Sequence, residues 1–255
     1  MRVVTLISDL GLKDYYVAVI KATILSSSDG LAIVDISHDI PSYDLVKAAY
    51  MLKNCYAQFP KGSIHLAFVD NASTHHDALL VLEYDGYYFV APDNGFFSIL
   101  FQNATAEFIK IKYTASSLQY VRDKYAEVVA CIHSGGSLLD LGETTSEVEE
   151  RLALQPVVSA NQLRGTIIHI DQFDNVIVNV SKDLFERVRQ GREFDIFFKR
   201  FDPIKSIHTH YYEVAVGELL CLFNSANLLE IAVNSGKAAE LFGLEEGDII
   251  QIDFN

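Results

Sequence analysis

Apolar residues fall along this chain in two successive rhythms. Up to about residue 155, short runs of aliphatic residues alternate with stretches whose apolar positions recur at helical spacing. The first such unit predicts a buried strand over 3–7, the turn Ser8-Asp9-Leu10-Gly11, and a helix from about Tyr15. A strand is expected over 31–35, then a helix over 43–56 with Leu45, Ala48, Ala49 and Leu52 on one face. The apolar run at 64–69 ends on Asp70. Runs at 78–83 and 87–90 flank Asp85-Gly86, a pair that favours a two-residue hairpin turn. Pro92-Asp93-Asn94-Gly95 leads into a helix at about Phe96, and another helix over 122–133 closes on Gly135-Gly136. Such alternation predicts a parallel or mixed sheet covered by helices.

Past Gln155-Pro156 the helical spacing stops. Runs at 164–170, 176–180, 193–198, 218–223, 228–233 and 248–253 read as short strands between turns, and only 237–242 reads as a helix. The expected organisation is an α/β domain over 1–155 and a compact all-β domain, barrel or sandwich, over 162–255.

Charge narrows the choice of partner. With 34 acidic against 20 basic residues the formal charge is −14, a surface that repels phosphate backbones and argues against nucleic acid. No apolar run reaches the length of a membrane span, and the amino terminus lacks a signal-peptide layout, so a soluble protein with no membrane partner is expected. Cys55, Cys131 and Cys221 are scattered through apolar stretches and read as buried free thiols of a cytoplasmic protein. The eight histidines show no metal-ligand spacing, so no metal site is expected.

Polar chemistry gathers where strands end: at Ser8-Asp9, at 69–73, at 171–175 and at 224–227. Each loop alone is an ordinary polar turn. In an open α/β sheet, however, ligands sit at the carboxyl edge of the strands. Asp9 is therefore placed to accept hydrogen bonds from a ribose diol, with capping of the following helix as the competing use.

Read in order, the motifs carry a resemblance. They are Thr5-Leu6-Ile7-Ser8-Asp9-Leu10-Gly11, Asp35-Ile36-Ser37-His38-Asp39-Ile40, Tyr88-Phe89-Val90-Ala91-Pro92-Asp93-Asn94-Gly95 and Arg122-Asp123 in the first half. Gly165-Thr166-Ile167-Ile168-His169-Ile170-Asp171, Phe173, Asn175, Asn224-Ser225 and Leu229-Glu230-Ile231-Ala232-Val233-Asn234 follow in the second. Together they resemble the S-adenosylmethionine hydroxide adenosyltransferases, relatives of enzymes that halogenate the same substrate. The resemblance implies a Rossmann-like first domain, a carboxy-terminal β-barrel and a homotrimer, with substrate between the first domain of one subunit and the barrel of the next. By position it implies that Asp9 holds the ribose and Tyr43 walls the pocket. Asp171 and Ser225 would hold the methionine amine and carboxylate, and Asn175 and Tyr211 the adenine. Asn94, Phe173 and Asn234 complete the implied substrate-binding set. Ordinary packing is the alternative for Tyr43 and Tyr211.

The implied reaction is attack of water on the ribose 5′-carbon of S-adenosylmethionine, giving adenosine and methionine. The sulfonium leaves as a neutral thioether, so neither a general acid nor a cofactor is called for. The family surrounds the water with an Asp, an Arg and a His. Here Asp70 matches the Asp, but the loop after it lacks the usual glycines and offers His75 or His76 where the Arg is expected. The usual H-G-R-D reads Tyr120-Val121-Arg122-Asp123. The halogenating branch has a Tyr at the position of Tyr120 but a Ser where this chain has Val121, and no acid at Asp70, which argues against halogenation. Two readings follow. In one, the relay is rebuilt: a histidine, titrating near about 6.5, serves as base with Asp70 orienting it, and Tyr120 holds the water. In the other, a trimer binds S-adenosylmethionine or adenosine without turning it over. A purely structural trimer is the third and least favoured.

Overall fold

The computed structural model describes residues 1–71, 78–101, 106–113, 118–152, 154–199 and 201–255. The chain forms a mixed α/β fold with two sheets, in two compact units, Met1–Ala153 and Leu154–Asn255.

The first unit runs β1 (Arg2–Ser8), α1 (Tyr16–Ser27), β2 (Leu31–Ser37), α2 (Leu45–Cys55), β3 (Ile64–Phe68), β4 (Ala78–Tyr84), β5 (Tyr87–Pro92), α3 (Phe96–Leu100), β6 (Phe108–Lys112), α4 (Leu118–Ser134) and β7 (Glu143–Thr145). Among the described residues its strands lie in the order β2-β1-β3-β5-β4-β6-β7. The first four are parallel, and β4, β6 and β7 extend the sheet antiparallel. All five residues of β3 are buried, as a central parallel strand covered on both faces requires. Ile20 and Ile24 of α1 and Val121, Tyr125 and Val129 of α4 pack on one face, and Leu45, Ala49 and Leu52 of α2 with Phe96 and Phe97 of α3 on the other. The β4–β5 hairpin turns through Asp85 (φ 49°) and Gly86 (φ 74°), the two left-handed residues that such a turn demands. Strands β6 and β7 had no expectation: they are short pieces on the antiparallel side of the sheet, with little apolar run to announce them.

The second unit runs β8 (Val157–Val158), β9 (Gln162–Ile170), β10 (Val176–Ser181), α5 (Lys182–Arg189), β11 (Phe194–Phe197), β12 (Leu219–Phe223), β13 (Leu228–Val233), α6 (Ala238–Phe242) and β14 (Ile249–Phe254). Its sheet has the order β11-β14-β9-β10-β13-β12, with β8 paired to β9, and curls into a half-barrel around Phe185, Ile196, Phe198 and Ile231. Gly165 lets β9 cross tightly over β10, since a Cβ there would stand 2.5 Å from Val178 Cγ1. Helix α5 corrects the expectation that 237–242 is the sole helix here. Ser181 caps it by accepting from Leu184 N–H, Asp183 sits in its first turn, and Arg187 and Arg189 in its last. Its apolar face is short, Phe185 buried with Leu184 and Val188 packed beside it against the core, in a helix of only eight residues.

All three cysteines are free; Cys221 is buried, but Cys55 and Cys131 are only half-buried, which corrects the reading of all three as core residues. Among the described residues no helix is long and apolar enough to cross a membrane.

Because β2, β1, β3 and β5 are parallel neighbours, their carboxyl ends emerge along one edge. His38, Asp9, Asp70 and Asn94, scattered in sequence, follow those four ends.

Candidate functional site

Asp9 anchors this edge. Its backbone N–H donates to Phe68 O at 3.3 Å, continuing the pairing of β1 with β3. Its carboxylate Oδ2 accepts from the backbone N–H of Tyr43 at 2.9 Å and of Asp70 at 3.2 Å. Both donors have left-handed backbones, with φ of 68° at Tyr43 and 54° at Asp70. Non-glycine residues held there cost on the order of 1–3 kcal/mol each, and charge-assisted bonds to one carboxylate offset that cost. The capping alternative for Asp9 is overturned: α1 starts at Tyr16, its N-cap is Tyr15, and no side chain caps it. The described hydrogen bonds all fall on Oδ2, leaving Oδ1 for a ligand hydroxyl.

A second layer holds the Asp9 turn. Ser8 Oγ lies 2.7 Å from His38 Nδ1, Leu10 N–H donates to Ser8 Oγ at 3.4 Å, and Gly11 N–H donates to His38 O at 2.9 Å. His38 Nε2 lies 3.1 Å from Asp35 Oδ1, and Lys21 Nζ donates to Asp35 Oδ2 at 2.6 Å. With the His38 proton assigned to Nε2, Leu10 N–H donates to Ser8 and Ser8 O–H to Nδ1, while Nε2 faces the Asp35 carboxylate as an electrostatic contact without an aligned hydrogen bond. Burial works against the Asp35 charge, but the Lys21 hydrogen bond and the nearby His38 ring outweigh it, so its carboxyl sits below the ordinary value. Asp35 and His38 were legible only as part of a motif; their use in bracing Asp9 depends on β1 and β2 being neighbours.

Beyond β3 stands Asp70, a buried carboxylate. The guanidinium of Arg151 approaches it, with Nη2 3.6 Å from Oδ2 and side-chain exposures of 45% for Arg151 and 7% for Asp70. The segment carrying Arg151 is fastened to the loop after β5 and to α3. Arg151 N–H donates to Ser98 Oγ at 2.9 Å, the Ser98 proton is shared between Gly95 O at 2.7 Å and Arg151 O at 3.1 Å, and Glu149 N–H donates to Asp93 Oδ1 at 2.8 Å. Gly95 (φ 88°) makes room for the arginine stem, since a Cβ there would stand 2.4 Å from Arg151 Cγ. Sequence reading missed Arg151, and no local signal marks it.

Asn94 is fully buried, and its amide is engaged inside the protein: Nδ2–H donates to Val69 O at 3.0 Å and Oδ1 accepts from Phe96 N–H at 3.2 Å. It ties the β5 loop to the β3 loop. Tyr125 does the same from α4, its O–H donating to Ala67 O at 2.6 Å and its ring stacking on Phe68 with centroids 3.9 Å apart. Asn71 Nδ2, beside Asp70, is buried without a hydrogen-bond partner among the described residues. Tyr120 is 57% exposed near the start of α4. Close by, a cavity of about 250 Å³ is lined by Tyr15, Tyr16, Leu118, Gln119 and Arg122. Tyr43 is exposed rather than packed. His75 and His76 lie outside the described residues.

In the second unit Asp171 organises its own loop. Oδ1 accepts from the N–H of Phe173 at 2.9 Å and of Asn175 at 2.8 Å, and Oδ2 accepts from Asn175 Nδ2–H at 3.1 Å. Phe173 is thereby thrust outward, 74% exposed. Tyr211 O–H donates to the buried Glu230 carboxylate at 2.6 Å. Burial raises the Glu230 carboxyl, opposed by hydrogen bonds from Tyr211 and Asn224 and reinforced by the Asp171 charge. Burial and Glu230 together push the Tyr211 hydroxyl well up. Tyr211, Glu230 and Asp171 thus form one group. Ser225 and Asn234 are not brought together: they flank opposite ends of β13, roughly 20 Å apart for six extended residues. The β10–β13 register puts the Asp171 loop at the Asn234 end, since Val176 pairs with Ile231 and Ser181 with Leu228. Asn234 ties the end of β13 to the segment before β12 through Nδ2–H to Val214 O at 2.8 Å.

Comparison with known proteins places this arrangement in a family. The sequence model of the SAM hydroxide adenosyltransferase N-terminal domain matches residues 4–142, and that of the C-terminal domain residues 165–251. The chain is 31% identical to an (R)-S-adenosyl-L-methionine hydrolase of Thermus thermophilus, over 97% of this chain and 98% of that protein. It is 29% identical to an enzyme of the same name from Methanocaldococcus jannaschii, over 99% and 96% of the two chains. An uncharacterised conserved protein from Thermotoga maritima has the same fold, with a TM-score of 0.86 at 30% identity over 98% of this chain and 99% of that one. The chain belongs to the SAM hydroxide adenosyltransferase family.

Proposed function

We propose that this protein hydrolyses S-adenosylmethionine to adenosine and methionine. Water oxygen bonds to the ribose 5′-carbon as the carbon–sulfur bond breaks. That electron pair stays on sulfur as a neutral thioether, and the water's proton passes to a base. The observation that carries this reading is the meeting of Asp9 and Asp70 at one sheet edge. One oxygen of Asp9 is occupied by Tyr43 and Asp70 amides, and the other is left for a ribose hydroxyl. Asp70 is the acceptor, or the orienter of His75 or His76, for the water's proton. Tyr120 holds the water. The departing sulfur needs no metal or cofactor to assist it.

In this reading the first unit is Rossmann-like and the second a β-barrel, with domain limits near 155 and 162. The protein is a cytoplasmic homotrimer, on the family resemblance. Tyr211, Asn175 and Phe173 offer two ring faces and an amide edge suited to adenine. Binding without turnover is the second reading, raised by Tyr120 at the family's histidine position, and the full-length likeness to named hydrolases speaks against it. Incubating the purified protein with S-adenosylmethionine and following adenosine and methionine by chromatography tests the proposal. Equimolar release of both supports it; binding with no release at any pH leaves the second reading in its place.

A further inference from the structure

We infer that Arg151 is the cationic partner of Asp70 in this reaction, supplied from a distant part of the chain in place of the arginine that the loop after Asp70 lacks. The inference rests on the hydrolytic reading and adds a residue to it. Three observations carry it. First, the sequence from Asn71 to Asp77 contains no Arg or Lys, so no fixed positive charge is available locally. Second, Arg151 stands at ion-pair distance from Asp70, 3.6 Å between Nη2 and Oδ2. Third, its backbone N–H is bonded to Ser98 Oγ, and its stem fills the space that the missing Cβ of Gly95 leaves. An arginine presented by a loop merely passing over the surface would lack this seat.

Arg151 also lies between the two segments that the family models match, 4–142 and 165–251. It is therefore a feature of this chain's connecting segment. Chemically, Asp9 and Asp70 place two carboxylates at one edge. A guanidinium is planar, permanently charged and able to hold a carboxylate while offering further N–H donors outward. The side chain is 45% exposed, so donors remain for solvent or ligand. Held this way, the Asp70 carboxylate keeps one orientation toward the water whose proton it takes or relays. Arg151 acts through Asp70 and is a positioning residue.

The test is steady-state hydrolysis of S-adenosylmethionine by the parent protein and by Arg151→Ala, Arg151→Lys and Ser98→Ala. Adenosine affinity is measured alongside by calorimetry. Arg151→Ala is expected to lower kcat by on the order of tenfold to a hundredfold, with KM and adenosine affinity within about threefold. Added guanidinium ion restores part of that loss, and Arg151→Lys is intermediate. Ser98→Ala, which loosens the seat and keeps the charge, lowers kcat by a smaller factor and remains available if Arg151→Ala does not fold. An unchanged kcat in Arg151→Ala, with an active parent, overturns the role of Arg151 alone. So does a loss confined to KM, or one that neither lysine nor guanidinium rescues, since that marks a structural arginine. No turnover by the parent overturns the hydrolytic reading and the role of Arg151 with it.

Discussion

The backbone N–H of Tyr43 donates to Oδ2 of Asp9 at 2.9 Å, across 34 residues of sequence. The same oxygen accepts from Asp70, so a single carboxylate holds the loops after β2 and β3 in left-handed turns at the edge where the ligand is expected.

Replacing Asp9 therefore acts twice. Asp9→Ala removes the acceptor of two amides and the ligand-facing oxygen, and is expected to weaken adenosine binding more than any change at His75 or His76. Each charge-assisted bond is worth roughly 1.5–3 kcal/mol before desolvation is subtracted. Asp9→Asn retains an acceptor oxygen and is expected to keep more of the thermal stability while still losing affinity. Calorimetry with adenosine and thermal unfolding together check both; unchanged affinity in Asp9→Ala means that the ribose is held elsewhere.

His38 and Ser8 brace the Asp9 turn without facing the ligand themselves. His38→Ala and Ser8→Ala are each expected to weaken adenosine binding by up to about tenfold, the equivalent of one hydrogen bond. If the effect runs through Asp9, adding His38→Ala to Asp9→Ala costs less than it does in the parent, a coupling of roughly 0.5–3 kcal/mol. Strict additivity in that cycle discards the bracing role.

A relay rebuilt on histidine makes the hydrolysis rate rise with pH through roughly 6–7, where imidazole turns neutral and can accept a proton. Removing the responsible residue, His75 or His76, is expected to erase that limb of the pH profile while adenosine affinity stays. Tyr120→Phe is expected to cost only a small factor in kcat, because a positioning bond is lost and no proton acceptor is. A rate that is flat through that range in the parent excludes histidine as the base.

His65 sits in the first core, its Nδ1 2.8 Å from Thr5 Oγ1 and its Nε2 buried without a partner among the described residues. Burial lowers its pKa from 6.5 to about 4. The unfolded chain therefore binds this proton first as pH falls. The stability that the neutral imidazole contributes is fully present above 6.5 and is lost as pH drops toward 4, at about 1.4 kcal/mol per pH unit and about 3 kcal/mol in all. The melting temperature of the parent is expected to fall across that window. His65→Phe, which cannot titrate, is expected to flatten the fall; the same slope in both proteins would assign it to other groups.

Local pattern carried much of the fold. The Asp85-Gly86 turn, the run at 64–69 and the helix marked by Leu45, Ala48, Ala49 and Leu52 are all written within a few residues of themselves. Helix α5 escaped because its apolar face, Leu184, Phe185 and Val188, spans barely one turn of an otherwise charged eight-residue segment. The site was legible where a residue follows a buried strand, as Asp9 and Asp70 do. It was opaque where function depends on a neighbour brought in by tertiary packing. Whether Asp9 caps a helix or holds two loops cannot be told from spacing, since both uses place an acid after a strand. Arg151 is further still from view: its partner lies 81 positions away, and its seat is a missing Cβ. Ser225 and Asn234 already stand at opposite ends of the run 228–233, but only the register of β13 on β10 shows that the Asp171 loop lies at the Asn234 end.

The parallel order β2-β1-β3-β5 has a kinetic corollary. Val4 must find Ile33 and Ile64, and Leu66 must find Val90, before His38, Asp9, Asp70 and Asn94 share an edge. Each of these pairings closes a loop of more than twenty residues, an entropy cost borne before any ligand contact exists. A refolding chain should therefore regain helix signal early and nucleoside binding late. Recovery of adenosine binding after dilution from denaturant would serve as a clock for completion of the central sheet.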